Sequence, residues 1–423
     1  MAGVSSAISA SRSGAKVTVV ESAETPAVNA SLLPLVLSGK VDVSRIAAAE
    51  MKELASHDVE VCLGERVLDI DASRRTVKTG SRRFEFDSLI LCTGTRPGIE
   101  APRGVAKKNA FLMKTHEDYL RFHSTDRGWS RVAVIGPAPL SLVVAASLAK
   151  RAKVTIFLGR NGLGRFPVCV REMVREVAGR NGLILKEANV DAILGGERVE
   201  AILSGGEVYT NDCAIVLPKR VPDFPRSDLT LGLHGGILVD SYMRASMGRI
   251  FAAGDCCEAR VGAISLPTRL RSSSRLMGEV AGLNSAGAAV RASLSFSIPL
   301  EILGLEVLLT GLSLDDALTA GLPARMVELG PTEGSPFVSI VYETSTHRTL
   351  GIQAAGLGAL SLSGLASIAV SSSLTLEDLA YHESPYIPSV GADASPIALT
   401  AGKALARVQE RTVETKGTRV RHS

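Results

Sequence analysis

The alternation of apolar and polar residues divides the chain into short segments that read as the strands and helices of an α/β protein. A helix-like stretch, residues 3–13, precedes an apolar β-rich run, residues 16–20, closed by Glu21. A charged, amphipathic stretch over residues 43–56 predicts a helix. Residues 59–63, 66–71 and 76–78 alternate in short runs, the pattern of a β-meander. The apolar strand at residues 88–92 runs into Thr93-Gly94-Thr95-Arg96-Pro97, which must break it.

A second set of elements begins near Arg131. "RVAVIG" reads as a buried parallel strand, residues 139–151 as an apolar helix and "KVTIFL" as the next strand, a complete βαβ unit. A further β-rich stretch ends at residues 215–217. "GGILVD" then leads to "RIFAAGD", a strand that stops at Gly254-Asp255, and the helix that follows runs through Arg275, Gly278, Ala281 and Ser285. From about Ser297 the pattern becomes strand-rich with one helix, residues 314–320, which reads as a third domain.

A length of 423 residues suits two or three domains. The aromatic content of 4% favours close helix–sheet packing over an aromatic-rich sandwich. A net charge of +4 with interleaved signs gives little support to nucleic-acid binding. Only residues 416–422 form a basic tail, expected to be a disordered end. No run reaches the roughly 18 apolar residues of a membrane span. The nearest, residues 354–371, is broken by Gly and Ser and reads as buried strands and turns. The first residues lack the order of a signal peptide, so a cytoplasmic location is expected. Six cysteines lie scattered in apolar segments without C-x-x-C or zinc spacing.

The segments "KVTVVE", "LILCTGTRP", "RVAVIG", "GGILVDSYMRASMGRIFAAGDCCEA", "LEVLLTGLSLDDALTAGL", "HRTLGIQAAG" and "DLAYHESPYIPSVGADASPIAL" occur in that order. Together they resemble the FAD-dependent pyridine nucleotide-disulfide oxidoreductases, in the branch of the coenzyme A-disulfide reductases and NADH oxidases. The resemblance implies two Rossmann-like nucleotide-binding domains, for FAD and NAD(P), and a C-terminal α+β dimerisation domain. The FAD-binding domain would occupy residues 1–125 and 246–296, the NAD(P)-type domain 126–245, the interface domain 297–411 and the basic tail 412–423. A homodimer would form through the interface domain, with "SPYIPSVG" facing the partner's active site.

The resemblance also implies site residues. Glu21, at the end of its strand, would accept hydrogen bonds from the ribose of the FAD adenosine half. Gly3 matches the third glycine of a G-x-G-x-x-G loop. Thr93 and Gly94 stand in the turn that passes near the cofactor, and Gly254-Asp255 at the edge where Asp bonds the ribityl chain.

Several positions depart from the family. The chain begins inside the first G-x-G-x-x-G motif, without the first strand and the first two glycines; a start upstream of Met1 is the expectation, and loss of a central strand the alternative. In the second domain the glycine-rich loop reads Gly136-Pro137-Ala138-Pro139-Leu140-Ser141. Gly136 allows the tight turn, but two prolines remove amide donors from a phosphate cradle. Leu158 replaces the strand-end acid, Lys219 replaces a further glycine, and Arg160 is a weak candidate for a 2′-phosphate. Ser31, before Leu33-Pro34, stands at the redox cysteine, so no thiol–disulfide exchange can occur there. Cys256 and Cys257 read as structural or incidental. Two functions follow: an FAD enzyme passing electrons from weakly bound NAD(P)H to an unidentified acceptor, or a degenerate, cofactor-poor structural or regulatory subunit. Metal binding is not expected.

Overall fold

A computed structural model of the chain describes residues 1–24, 52–98, 102–113, 116–125, 128–160, 162–164, 166–261, 264–267, 269–332, 335–384 and 395–420. It divides into two compact units, Met1–Gly162 with Gly179–Ala292, and Leu163–Ala178 with Ser293–Ser423.

In the first unit, α1 (Ala2–Arg12) precedes β1 (Val17–Val20), which pairs in parallel with β2 (Val59–Cys62). α1 buries Ala2, Val4, Ala7, Ile8 and Ala10, whose spacing puts them on one side of a helix. An antiparallel meander follows: β3 (Val67–Asp71), β4 (Thr76–Thr79) and β5 (Arg83–Glu85). The first of the expected meander strands, residues 59–63, is corrected to β2 beside β1. Its Val59 and Val61 pack with Val4, Ala7 and Ile8 of α1, a burial that the meander does not offer.

Next come β6 (Leu89–Leu91), β7 (Thr95–Pro97), β8 (Ala110–Leu112) and α2 (His116–Thr125). The expected βαβ unit is β9 (Arg131–Ile135), α3 (Leu140–Leu148) and β10 (Lys153–Phe157). It continues through α4 (Val168–Arg180), which belongs to the second unit as far as Ala178, and β11 (Ile184–Lys186). A meander of β12 (Val190–Leu194), β13 (Ala201–Ser204) and β14 (Glu207–Thr210) intervenes before β15 (Cys213–Val216). The parallel sheet has the order β11-β10-β9-β15-β8. β15 is wholly buried, and only the first residue of β9 and of β10 is exposed, as apolar runs in a sheet covered on both faces require. The order reverses between β9 and β15, so their carboxyl ends open the crevice where such sheets take ligands.

The unit closes with β16 (Arg220–Pro222), β17 (Ile237–Val239), β18 (Ile250–Ala252), the hairpin β19 (Cys257–Val261) and β20 (Ile264–Pro267), and α5 (Arg271–Ser285). β18 pairs in parallel with β6, and β16 antiparallel with β7. The helix expected to follow the Gly254-Asp255 turn is thus α5, one hairpin further on. The pairs β1–β2 and β6–β18 are not hydrogen-bonded to each other, and α1 packs on β1, β2 and β6. α5 lies across α1 at backbone distance: a Cβ on Gly278 would sit 2.3 Å from the Ala2 carbonyl oxygen, and one on Gly282 2.4 Å from that of Ser6.

In the second unit, β21 (Ile298–Ile302) and β22 (Leu305–Gly311) precede α6 (Leu314–Thr319), and β23 (Ala324–Leu329), β24 (Phe337–Glu343) and β25 (Thr349–Ala355) complete an antiparallel sheet of order β21-β22-β25-β24-β23. α7 (Ser363–Ser371), α8 (Leu376–Ala380) and α9 (Pro396–Val420) follow. Leu308, Val338, Ile340 and Ile352 of the sheet bury against Ala366, Ala369, Ile397 and Ala401 of the helices. Three expectations are corrected here. The C-terminal region holds more than the one expected helix. Residues 354–371 form the end of β25, a 3-10 turn at Ala359–Leu362 and α7, because the fully buried Ala366 and Ala369 let a helix lie close on the sheet despite weak local propensity. The expected disordered tail is helical as far as Val420. Among the described residues no helix is long and apolar enough to cross a membrane.

Candidate flavin and nucleotide sites

Three segments distant in sequence meet at the first turn of α1. After β18 the chain reverses through Gly254, whose φ of 82° favours glycine, and a Cβ there would lie 2.9 Å from the Cβ of Ala2. After β6 it turns through Cys92, Thr93 and Gly94, the last at φ 71°. Gly3 faces this turn, since a Cβ on it would be 3.5 Å from that of Cys92. Ser6 on the next turn brings its Oγ within 3.8 Å of Cys92 Sγ. The first amides of a helix have no intrahelical acceptor, and the Met1 side chain at the N-cap does not cap them. Free amides and a positive dipole end suit an anion such as a pyrophosphate. The two turns can lie this close to α1 because the facing residues are Ala, Gly and Cys.

Asp255 presents a carboxylate beside this cradle. Its Oδ1 accepts from Ser274 Oγ of α5 at 3.3 Å, and its Oδ2 from Arg220 Nη of β16 at 3.4 Å. Neither Ser274 nor Arg220 stood out in the sequence. Arg220 carries no spacing signal, although Ser274 belongs to the small-residue spacing that continues at Gly278 and Gly282. Glu21 is carried by the β1–β2 pair. Its amide donates to the Cys62 carbonyl at 2.9 Å, and its Oε1 accepts from Ala23 N at 3.0 Å and Ser22 Oγ at 3.2 Å. One carboxylate oxygen is therefore used within the turn that orients it.

Three thiols underlie the cradle. Burial, with the neighbouring Cys256, pushes the Cys92 thiol up to about 12. Cys256 and Cys257 are fully buried, with Cys256 Sγ 3.2 Å from the Leu91 carbonyl and Cys257 Sγ 3.1 Å from that of Gly254. A hydrogen bond from Cys257 draws Cys256 below the ordinary thiol value, while the same bond and burial push Cys257 well above it. Their place is in the packing behind the turn, closed to an external disulfide. Ser31 lies outside the described residues, as does most of "SPYIPSVG".

The second loop sits at the β9/β15 crevice. Gly136 approaches Leu217 so closely that a Cβ would lie 2.5 Å from its carbonyl oxygen. Pro137 and Pro139 carry no amide donor, and Pro139 is the N-cap of α3. The Ser141 hydroxyl lies 2.6 Å from both the Gly136 and the Pro137 carbonyl oxygens, and so closes the loop on itself. The amides of Ser141 and Leu142 also point to loop carbonyls, of Pro137 and Pro139. Leu158, at the strand-end acid position, is buried. Arg160 is exposed, with its amide 3.3 Å from Asn189 Oδ1. The first cradle offers helix amides and the Asp255 carboxylate, groups that could hold the pyrophosphate and ribityl parts of FAD; the second loop, with two prolines and a self-bonded Ser141, offers few donors to a dinucleotide.

A parallel sheet with a loop at its switch point and a second set of parallel strands with a cradle at a helix start, both in the first unit, make an α/β arrangement of the nucleotide-binding type. A family model described as pyridine nucleotide-disulphide oxidoreductase matches residues 1–280, and the chain belongs to that family. It is 24% identical over 364 residues to an NAD(P)H sulfur oxidoreductase (CoA-dependent) of Pyrococcus abyssi, covering 81% of this chain and 82% of the relative. An NADH oxidase of Methanocaldococcus jannaschii is 25% identical over 383 residues, 84% of each chain. Among solved structures, the water-forming NADH oxidase from Lactobacillus brevis bound to NADH superposes with a TM-score of 0.88 at 21% identity, covering 97% of both chains. A NAD-dependent persulfide reductase from A. fulgidus gives 0.86 at 22% identity, covering 97% of this chain and 82% of that one.

Proposed function

We propose that this protein is an FAD-dependent oxidoreductase that passes electrons to an acceptor without a redox cysteine, Ser31 standing at that position. The observation that carries the reading is the convergence of Gly3, Cys92-Thr93-Gly94 and Gly254-Asp255 on the start of α1. There the amides of α1 would face the FAD pyrophosphate, Asp255 would accept from a ribityl hydroxyl and Glu21 from the adenosine ribose. Bound FAD supplies two-electron redox chemistry; the chain's own residues bind, orient and shield it. The acceptor is one that needs no protein thiol, such as oxygen or a quinone. NAD(P)H is the donor the family implies, and Gly136 and Arg160 are what this chain offers it.

The protein would act as a homodimer through residues 297–411, where Leu357, Ile368, Tyr381 and Leu399 are exposed apolar or aromatic side chains. A monomer in sedimentation at micromolar concentration refutes this assembly. A second reading, a cofactor-poor structural or regulatory subunit, is favoured by the self-closed loop at Ser141. Refolding with excess FAD decides between the two. A yellow protein whose flavin absorbance bleaches on adding NADH or NADPH supports the enzyme. A chain that stays colourless supports the subunit.

A further inference from the structure

We propose that Arg220 is a positioning residue of the flavin cradle: from β16 it grips the carboxylate of Asp255 and fixes how that carboxylate meets the cofactor. The inference rests on the FAD reading of the cradle. Asp255 sits on a glycine turn, and a turn alone leaves a carboxylate free to rotate. Here both oxygens are held, Oδ1 by Ser274 at 3.3 Å and Oδ2 by Arg220 at 3.4 Å. Two different elements thus define the plane of one carboxylate, and each oxygen keeps a lone pair for a ligand hydroxyl.

Arg220 is itself held. β16 pairs with β7 in the register Arg220↔Pro97, Val221↔Arg96 and Pro222↔Thr95. The ribbon is tied at both ends, by Asp223 N to the Gly94 carbonyl at 3.0 Å and by Gly98 N to the Lys219 carbonyl at 2.8 Å. Asp223 also pairs with Arg96 at 3.8 Å and Arg66 at 3.5 Å. The backbone that carries Arg220 is therefore locked to the Cys92-Thr93-Gly94 turn, so the arginine joins the two turns of the cradle. Both partners are only partly exposed, 25% for the Arg220 side chain and 21% for Asp255, and a charge-assisted pair so placed has more directional hold than a surface pair. The guanidinium also offsets the Asp255 charge beside a cofactor that becomes more electron-rich on reduction.

The test uses the full chain refolded with FAD, comparing wild type, Arg220→Gln and Arg220→Lys. FAD affinity is read by fluorescence titration, the midpoint potential of bound flavin by dye equilibration, and apoprotein stability by thermal unfolding. Arg220→Gln should weaken FAD binding about tenfold and lower the midpoint potential, with Arg220→Lys recovering part of both and apoprotein melting little changed. Arg220→Gln with wild-type affinity and potential overturns the proposal while leaving the FAD reading intact. Weaker binding with an unchanged potential and an equal loss of apoprotein stability also overturns it, because the arginine is then only a structural tie. A wild-type chain that binds no FAD overturns the FAD reading itself and this inference with it.

Discussion

Replacing Gly278 by Ala should destabilise the protein, although Ala is the better helix former. In an open helix the exchange gains about 1 kcal/mol. At Gly278 the new Cβ would lie 2.3 Å from the Ala2 carbonyl oxygen and 3.0 Å from its Cα, where ordinary contact begins at 3.4 Å. The contacting atoms are backbone, so α1 and α5 must separate by about 1 Å, and overpacking of this kind costs about 1–3 kcal/mol. The displaced residue is Ala2, which also touches Gly254, so the cradle opens with it. The net effect should be a loss of up to about 2 kcal/mol together with weaker FAD binding. Gly402 on α9 is the internal control: a Cβ there meets nothing within 4 Å, so Gly402→Ala should stabilise by about 0.4–1 kcal/mol. Urea unfolding followed by circular dichroism measures both. Stabilisation of both variants would show that α1 and α5 are not in backbone contact.

Ser141→Gly should open the second loop and raise the affinity for NADH or NADPH by calorimetry; an unchanged affinity would mean that the hydroxyl is not what holds it shut. In the native protein near pH 8, Cys92, with a thiol pushed up to about 12, and the buried Cys213, Cys256 and Cys257 should resist a thiol reagent. Peptide mapping that finds Cys92, Cys256 or Cys257 modified before unfolding contradicts the closed packing behind the cradle, and modification of Cys213 contradicts the burial of β15. Asp378 completes a capping box with Thr375 at the start of α8, and the Thr375 backbone and hydroxyl donors hold its carboxyl below the ordinary range. Its contribution is therefore full above the unfolded value of about 3.9 and is lost as pH falls through the lower folded value. Asp378→Asn should melt below wild type at pH 7 and converge with it in acid; a constant difference across that range refutes the linkage.

Much of this molecule was legible from periodicity alone. The apolar run at residues 131–135 reads as a buried parallel strand, that at 153–157 as the next strand, and a β-rich stretch ends at residues 215–217; all three lie in the parallel sheet, with β9 and β10 buried beyond their first residue. Gly94 and Gly254 were legible as turn residues that stop their strands, and it was the resemblance to the family that singled them out; both adopt a positive φ. The prolines at 137 and 139 declared a loop poor in amide donors before its geometry was known. Periodicity failed where burial came from a distant partner. Residues 363–371 are helical because Ala366 and Ala369 fit against the sheet, and β2 leaves the meander because α1 covers it. Sequence distance likewise hid the cradle's partners. Arg220 and Asp255 are separated by 35 positions, and nothing local marks either as the other's partner. That Ala2 meets Gly254 and Gly278, and that Ser141 closes its own loop, depends on backbones brought within a few ångströms by packing. Residue type settled what each position could do, and tertiary contact decided which positions do it together.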